Sequence, residues 1–191
     1  MSDVEMFMFG PLLTKQKISG DQISRINKLC EKNPKLLYKR HLAGHIDDEY
    51  KIDTIGLENI ISEQIEQYYL QFDRFAGGKK RGSIISAWVN YMKPGDFNPP
   101  HHHDDDLSGV IYLQVTSEIH LEAVRGGYNS RGPGSIHFNV GPPMKHFNYS
   151  YDLMPETGDI FIFPAGLFHS VAPYKSKVER ISVAFNIRFD N

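Results

Sequence analysis

Residues 158–169 read Gly-Asp-Ile-Phe-Ile-Phe-Pro-Ala-Gly-Leu-Phe-His and combine a short apolar run with a turn and a histidine. The apolar run is typical of a strand buried on both faces, and the Pro-Ala-Gly sequence ends it. An ordinary surface histidine is not expected directly after such a strand. We therefore expect His169 to lie at the end of this buried strand as a candidate metal ligand.

A second group of candidate ligands lies upstream, where residues 98–106 read Asn-Pro-Pro-His-His-His-Asp-Asp-Asp. Side chains two apart on a strand share a face, so the pairs that can act together are His101/His103, His102/Asp104 and His103/Asp105. The first pair is preferred because it leaves the three aspartates for the turn before the next strand. The alternative is a polar turn that binds metals without being a dedicated site.

An arginine on the C-terminal strand is the third part of the pattern. Alternation along residues 180–189 separates a polar face from an apolar face that should meet the helices. The polar face holds Arg180, Ser182, Ala184 and Asn186, and the apolar face holds Ile181, Val183 and Phe185. An arginine pointing into a barrel is costly without an anion, and a ligand carboxylate is the natural partner. The alternative is a surface ion pair with Glu179 or another carboxylate.

Tyr112 lies on a predicted strand, residues 107–115, and shares a face there with Ser108 and Val110. Its phenol could donate to the same carboxylate, or Tyr112 could be an ordinary core residue. Three ligands on one face of an iron leave the opposite face open, and a nearby cation can hold a dicarboxylate against it. The pattern predicts a mononuclear iron oxygenase whose candidate residues are His101, His103, His169 and Arg180.

Two amphipathic helices are predicted before the strands. Ser19 and Gln22 have the spacing of a capping box at the start of the first helix. The second helix has apolar residues at helical spacing, namely Leu57, Ile60, Ile61, Ile65, Tyr68, Tyr69 and Phe72. Strands are predicted at residues 83–92, 107–115, 120–123, 135–139, 159–163, 170–172 and 180–189. The order predicts a mainly β fold with flanking helices, a sandwich or barrel with the N-terminal helices packed on one sheet.

The remaining histidines carry weaker expectations. His41 and His45 could form a second metal site, but a loop is favoured because Gly44 weakens any helix there. His120 is expected to be an ordinary strand residue. Residues 126–157 are rich in Gly, Pro, Asn and Tyr, and we expect long loops at the barrel mouth, where His137 and His146 would face a substrate.

Composition limits the class of protein. The 191 residues are predicted to form one domain, with an N-terminal strand and supporting helices in residues 1–82 and the β core in residues 83–191. A net charge of −2 without a sustained basic run argues against a nucleic-acid partner. Cys30 is the one cysteine and lies on a helical stripe, which favours a buried thiol and a reducing compartment. No stretch is long and apolar enough for a membrane span, so we expect a cytoplasmic protein without a membrane partner.

These residues resemble the 2-oxoglutarate/Fe(II)-dependent oxygenases of the prolyl-hydroxylase-like, double-stranded β-helix type. The resemblance rests on Trp88-x-Asn90, Gly95, His101-x-His103, Leu107-Ser108-Gly109-Val110, Tyr112-Leu113, residues 158–164, His169-x-Val171-x-Pro173-Tyr174 and Arg180-x-Ser182. It covers residues 83–189. It implies a double-stranded β-helix core, a jelly roll similar to the cupins, with Fe(II) at its open end.

The resemblance also implies residue roles. Iron would be bound by His101, His103 and His169, but superfamily members usually carry aspartate at the second position. Either three histidines or one of Asp104, Asp105 and Asp106 would then complete the site. Arg180 and Ser182 would bind the 5-carboxylate of 2-oxoglutarate, with help from Tyr112. The implied reaction consumes 2-oxoglutarate and O2, releases succinate and CO2, and hydroxylates an unidentified substrate, a small molecule or, by superfamily analogy, a peptidyl side chain.

Two other interpretations stay open from the sequence. The spacing of Gly95, His101-x-His103, Gly158 and His169 is also similar to the two cupin motifs, which implies a three-histidine dioxygenase or isomerase that does not use 2-oxoglutarate. That family leaves the inward Arg180 unexplained. The third interpretation is a non-enzymatic binding domain stapled by a metal. A homodimer is also expected as an option, with the apolar C-terminal strand extending a sheet into its partner.

Overall fold

The computed structural model describes residues 10–38, 42–76, 78–126 and 132–190. In chain order the elements are β1 (Thr14–Lys17), α1 (Gly20–Asn27), a 3-10 helix (Pro34–Leu36), β2 (Asp48–Lys51), α2 (Thr54–Ala76), β3 (Gly82–Met92), β4 (Asn98–His101), β5 (Leu107–Gln114), α3 (Ser117–Arg125), β6 (Ile136–Asn139), β7 (Ser150–Leu153), β8 (Asp159–Pro164), β9 (Phe168–Val171) and β10 (Arg180–Phe189).

The strands form two antiparallel sheets that pack face to face. The six-stranded sheet has the order β1-β8-β5-β10-β3-β2, and the four-stranded sheet has the order β4-β9-β6-β7. Phe161 on β8 and Phe138 on β6 belong to one apolar cluster that fills the space between the sheets. The predicted double-stranded β-helix with flanking helices is confirmed.

Strand β8 shows how one apolar run serves two cores. Ile160 and Ile162 belong to the cluster beneath the helices, whereas Phe161 and Phe163 belong to the cluster between the sheets. Successive side chains of a strand point to opposite faces, so a wholly apolar strand can be buried on both sides. The six-stranded sheet is therefore a shared wall, with helices on its outer face and the barrel interior on its inner face.

Helices α1 and α2 cover the outer face of the six-stranded sheet. The capping box of α1 is present in both directions, because Gln22 donates its backbone N–H to Ser19 Oγ at 3.2 Å and accepts the Ser19 N–H at 2.9 Å. The apolar stripe of α2 packs in one cluster with Val183 and Phe185 of β10. Each such large apolar side chain, once fully buried, stabilises the fold by roughly 1.5–3 kcal/mol. The predicted direction of the apolar face of β10 is confirmed.

Cys30 is partly buried and packs against the same cluster, so the prediction of a buried thiol is met only in part. Its Sγ donates to the carbonyl of Ile26 at 3.2 Å, and burial raises the pKa of the thiol to about 12. A thiol in this state is a poor nucleophile at neutral pH.

The predicted strand at residues 120–123 is wrong, because these residues lie inside α3. Three features of the segment favour a helix: Glu118 in the first turn, Arg125 in the last turn and a capping position at Thr116. Ile119 is the buried residue of α3 and packs into the cluster between the sheets. Four residues taken alone do not separate a strand from a helical turn, and His120 is a helix residue.

The strands whose bounds were not predicted from the sequence are the edges of the two sheets, although an N-terminal strand was expected in residues 1–82. They are β1 and β2 in the six-stranded sheet and β4 and β7 in the four-stranded sheet. Each is four residues long. An edge strand pairs on one side and carries polar residues, so it lacks the apolar run that identifies a central strand. Strands β6 and β7 also show that residues 126–157 are not loops throughout.

Strand β10 is central in its sheet and pairs with β3 along one side and β5 along the other. The expected route to a homodimer, extension of a sheet from the C-terminal strand, is therefore wrong, since both edges of that strand are already paired. Among the described residues, no helix is long and apolar enough to cross a membrane.

Candidate metal centre and anion pocket

The pairing of β4 with β9 aligns two of the three candidate metal ligands. His101 is the register partner of His169, and their ring centres are 4.2 Å apart. His103 follows β4 in a turn that is fixed by a hydrogen bond from its N–H to the carbonyl of Ala165 at 2.9 Å. One ring nitrogen from each of the three histidines lies within 4.8 Å of the others. This spacing allows three imidazoles to bind one metal ion.

Hydrogen bonds to the backbone fix the tautomers of two of these rings. Nδ1 of His101 lies 2.8 Å from the carbonyl of Pro99, and Nδ1 of His169 lies 2.9 Å from the carbonyl of Leu167. A carbonyl only accepts, so Nδ1 donates in both rings and Nε2 keeps its lone pair. Neutral imidazoles held in this way present Nε2 to a metal.

Burial also favours the uncharged form of the rings. It lowers the pKa of His101, and it lowers the pKa of His103 to about 4 and that of His169 to about 3. The rings lower one another's pKa further, because each disfavours a positive charge on its neighbours. At neutral pH the three rings are therefore uncharged and do not need to lose a proton before they bind a metal.

The neighbouring polar residues point elsewhere. Asp105 accepts from Arg188 at 2.6 Å, and Asp106 accepts from the N–H of Phe189 at 2.8 Å, so both carboxylates are held by the end of β10. Asp104 is exposed, and the ring of His102 lies 5.0 Å from that of Phe168 on the outside. Within the described residues the cluster consists of three histidines without a carboxylate.

Arg180 begins β10 and is 2% exposed. Its Nη1 donates to the carbonyl of Gly134 at 2.8 Å, and Nε has no partner among the described residues. Glu179, the alternative partner, pairs with Lys32 at 2.9 Å instead. Burial lowers the pKa of the guanidinium, but an arginine remains charged at neutral pH. The structure therefore contains a buried cation with an unused donor.

Tyr112 lies beside this cation. The pairing of β5 with β10 places Ser182 opposite Tyr112, and the guanidinium carbon of Arg180 is 5.3 Å from the centre of the Tyr112 ring. The Tyr112 hydroxyl is buried without a partner in the described part of the chain. Burial raises the pKa of this phenol to about 12, so it keeps its proton and is a donor at neutral pH. Two buried, unsatisfied donors in one place are costly unless a ligand accepts from them.

The histidines and the arginine line the same cavity inside the barrel. Its wall also includes Trp88, Asn90, Asn98, Ser108, Tyr112, Ser182, Ala184 and Asn186. The inward direction predicted for the polar face of β10 is therefore confirmed. Ser108 donates to Asn186 at 2.7 Å in this wall, and both residues are buried.

Sequence reasoning gave no role to two residues of the site, Asn90 and Gly134. Asn90 is buried with an Oδ1 that has no partner in the described ranges, and the carbonyl of Gly134 holds Arg180. Asn90 shares a strand face with Trp88 and Met92, and this pattern could have revealed Asn90 as a buried polar residue. The role of Gly134 depends on a backbone carbonyl and left no signal in the sequence.

Of the other histidines, one lies where it was expected and one does not. His137 lies on β6 rather than in a mouth loop and is 2% exposed. His146 borders an aromatic cleft with Phe147, Tyr149 and Tyr151, as expected for the mouth. His45 stacks on Phe97 with ring centres 4.5 Å apart, whereas His41 and Tyr128 lie outside the described residues.

A comparison with known families matches this site to one description. The family model described as "Putative 2OG-Fe(II) oxygenase" matches residues 86–186, which is more than half of the chain. The match contains all six residues predicted for the metal and the anion. No curated protein matches the chain by sequence.

Solved structures match almost the whole chain at low identity. A Pseudomonas putida prolyl-4-hydroxylase is 16% identical with a TM-score of 0.60, over 94% of this chain and 93% of that chain. The viral collagen prolyl hydroxylase vCPH from Paramecium Bursaria Chlorella virus-1, in its 2OG complex, is 16% identical with a TM-score of 0.56, over 92% and 94%. A prolyl hydroxylase in complex with a hypoxia inducible factor oxygen degradation domain peptide fragment, from Trichoplax adhaerens, is 12% identical with a TM-score of 0.55, over 94% and 83%.

Proposed function

The chain belongs to the 2OG-Fe(II) oxygenase family, and on this premise we propose that it hydroxylates a peptidyl side chain at the three-histidine cluster. Its cofactor is Fe(II), and its cosubstrates are 2-oxoglutarate and O2. The observation that carries the assignment of residues is Arg180, a buried cation without a carboxylate partner among the described residues, in the same cavity as the histidines.

We assign His101, His103 and His169 as the iron ligands. The donor set fits a divalent metal, because the three rings converge and two of them are already held as the tautomer that presents Nε2. Three neutral ligands leave the charge of the metal uncompensated, which favours an anionic ligand on the remaining positions. A 2-oxo acid is such a ligand.

We assign Arg180, Tyr112 and Ser182 to the distal carboxylate of 2-oxoglutarate. The orphaned Nε of Arg180 and the orphaned hydroxyl of Tyr112 fit an anion that accepts from both. Because the pocket is buried, it excludes water from the carboxylate, and a charge-assisted hydrogen bond there is stronger than one in solvent. Iron, when bound, would activate O2, the oxidant, with 2-oxoglutarate as the electron-donating cosubstrate, and the chain's own residues would hold and orient both.

The proposal of a peptidyl substrate is supported by the entrance of the site. The cleft next to the barrel mouth is lined by Phe138, His146, Phe147, Tyr149 and Tyr151, which present aromatic faces and polar tips. Such side chains suit an extended peptide with mixed polarity. Two of the structural relatives carry prolyl hydroxylase names that refer to collagen and to a bound peptide fragment.

The test is an anaerobic titration of the metal-free protein with Fe(II) and then 2-oxoglutarate, followed by visible absorption. We expect the charge-transfer band of an iron-bound 2-oxo acid in the wild type. His169→Ala should lose the band because iron is lost, and Arg180→Ala should lose it at moderate 2-oxoglutarate concentrations.

Two matched variants control for general damage. His102→Ala removes an exposed histidine of the same tract, and Arg188→Ala removes a 63% exposed arginine of the same strand. Both should keep the band. Iron binding without any band on addition of 2-oxoglutarate would refute the assignment and favour a three-histidine cupin enzyme that does not use this cosubstrate.

A further inference from the structure

A row of contacting side chains leads away from the turn that holds Arg180. It consists of Ser135, His137 and Asp152, and it lies outside the site described above. Ser135 and His137 are 3% and 2% exposed, and Asp152 reaches the surface. We propose that this row, named here the Ser135–His137–Asp152 relay, is a positioning device for 2-oxoglutarate because it fixes the carbonyl that holds Arg180. The inference rests on the proposed function of Arg180.

The first step of the argument is the contact between Arg180 and the turn at residues 132–135. Arg180 donates from Nη1 to the Gly134 carbonyl at 2.8 Å, and this is the one side-chain hydrogen bond of the guanidinium in the described ranges. The direction of the Arg180 fork in the cavity therefore depends on where the Gly134 carbonyl lies.

The conformation of this turn requires support. Gly134 has φ +76°, in the left-handed region, and a Cβ there would lie 2.6 Å from Cγ2 of Ile119 on α3. The turn is tied to the sheet by Gly134 N–H to the Ala172 carbonyl at 3.2 Å and by Ala172 N–H to the Ser135 carbonyl at 3.0 Å. A further backbone bond, from Ser135 N–H to the Gly132 carbonyl at 3.1 Å, closes the turn itself, and side chains add to this support.

The relay adds side-chain support to this turn. The Ser135 hydroxyl donates to the Gly132 carbonyl at 2.5 Å, a second bond across Gly134 to the carbonyl that also accepts the Ser135 N–H. Nε2 of His137 lies 3.2 Å from Ser135 Oγ, and Nδ1 of His137 contacts the Asp152 carboxylate. His137 and Asp152 are also register partners on β6 and β7, so the sheet itself brings them together.

The direction of the protons follows from the acceptors. The Gly132 carbonyl has no proton, so the single hydroxyl proton of Ser135 is used there, and Ser135 Oγ accepts from His137 Nε2. The Asp152 carboxylate accepts from His137 Nδ1. Because both ring nitrogens then donate, His137 is held as an imidazolium whose charge is compensated by Asp152. The same logic excludes Ser135 as a nucleophile, because its proton is not directed at the imidazole and the hydroxyl is buried.

The relay should therefore act on the distal carboxylate of the cosubstrate and not on the metal. Oxalate separates the two effects, because it can chelate a metal through two oxygens but has no further carboxylate that could reach Arg180. We would load the protein anaerobically with Fe(II) and measure the dissociation constants of 2-oxoglutarate and oxalate by calorimetry for the wild type, His137→Gln and Asp152→Asn. His120→Gln, on α3, is the matched control.

We expect His137→Gln and Asp152→Asn to weaken 2-oxoglutarate by roughly 10-fold, the usual size of an effect transmitted through a supporting hydrogen bond, with oxalate unchanged. His120→Gln should change neither. Equal weakening of both ligands would show a merely structural role and overturn the inference, as would no change in either. If His137→Gln does not fold, Ser135→Ala provides the same comparison.

The same binding measurements distinguish a failure of the proposed function of Arg180 from a failure of the relay. If Arg180→Ala leaves the ratio of the two dissociation constants at its wild-type value, Arg180 does not bind the distal carboxylate, and the proposed function fails before the relay is considered. If Arg180→Ala changes the ratio but the relay variants do not, only the relay is wrong.

Discussion

His101 lies directly opposite His169 in the pairing of β4 with β9. The same cross-strand row continues through Phe138 on β6 to Tyr151 on β7. Directly paired residues project to the same face of a sheet, so the row points into the barrel mouth as a unit. Two of the proposed ligands are thus aligned by the backbone of the four-stranded sheet, and the aromatic cleft begins at the next strand of the same row.

The first prediction concerns acid and the metal-free protein. His169 has a folded-state pKa of about 3, far below the ordinary value of 6.5, so the unfolded chain binds a proton between these values and the native state does not. Stability from this group is complete above pH 6.5 and is lost as the pH falls towards 3. Between pH 8 and pH 5 the loss is about 2 kcal/mol for this group alone.

The measurement is the free energy of unfolding in urea at pH 8 and pH 5, for the wild type and His169→Gln. The variant should have the weaker pH dependence, whatever its absolute stability. His45→Gln, which replaces an exposed histidine, is the matched control. Equal slopes for His169→Gln and the wild type would show that His169 is not buried in its neutral form.

The second prediction concerns the packing of β5 on β10 beside the cavity. A Cβ at Gly109 would lie 2.2 Å from the Phe185 ring, and Phe185 is fully buried. Gly109→Ala should therefore lower the free energy of unfolding by roughly 1–3 kcal/mol through overpacking. Gly166→Ala is the control, since nothing lies within 4 Å of its Cβ position. Chemical denaturation that finds the two variants equally stable would contradict this packing.

The third prediction concerns the helix that replaced an expected strand. Glu122 on α3 accepts from Ser176 N–H at 2.7 Å, from Ser176 Oγ at 2.6 Å and from Lys175 N–H at 3.0 Å. Burial alone would raise the pKa of this carboxyl, but these hydrogen bonds lower it below its usual value. Glu122→Gln should cost about 1 kcal/mol at pH 7.

The cost should shrink as the pH falls. The pKa of Glu122 is lower in the folded protein than in the unfolded chain, so the Glu122 carboxylate stabilises the fold above the unfolded-state pKa. This stabilisation is lost as the carboxylate is protonated. Thermal melts of Glu122→Gln at pH 7 and pH 4 measure this difference. Glu63→Gln, exposed on α2, serves as the control and should be neutral at both. A Glu122→Gln cost that stays constant with pH would place the stabilisation outside the carboxylate.

The central part of the fold could be predicted because its signals are local. The stripe of α2 and the alternation of β10 each follow from one window of sequence, and burial against a common core confirms both. The bounds of the four edge strands could not be predicted, since each strand pairs on one side and is too short for a period to be visible. The helix at α3 was missed because a four-residue window suits either element.

The candidate site was predictable to the extent that it depends on side-chain type and spacing. His101, His103 and His169 converge as expected, and Arg180 points inward as its alternation required. The support behind Arg180 was not predictable. It depends on the Gly134 carbonyl and on the register that brings His137 to Asp152, and neither is encoded in a local pattern.

The measurement that tests the central claim most directly is the conversion of labelled 2-oxoglutarate to succinate, followed by NMR in the presence of Fe(II) and O2 without an added substrate. We predict slow succinate formation by the wild type and by Arg188→Ala, and its loss in Arg180→Ala and His169→Ala. If the wild type consumes no 2-oxoglutarate while it binds iron, the proposal that this cavity is a 2-oxoglutarate site is contradicted.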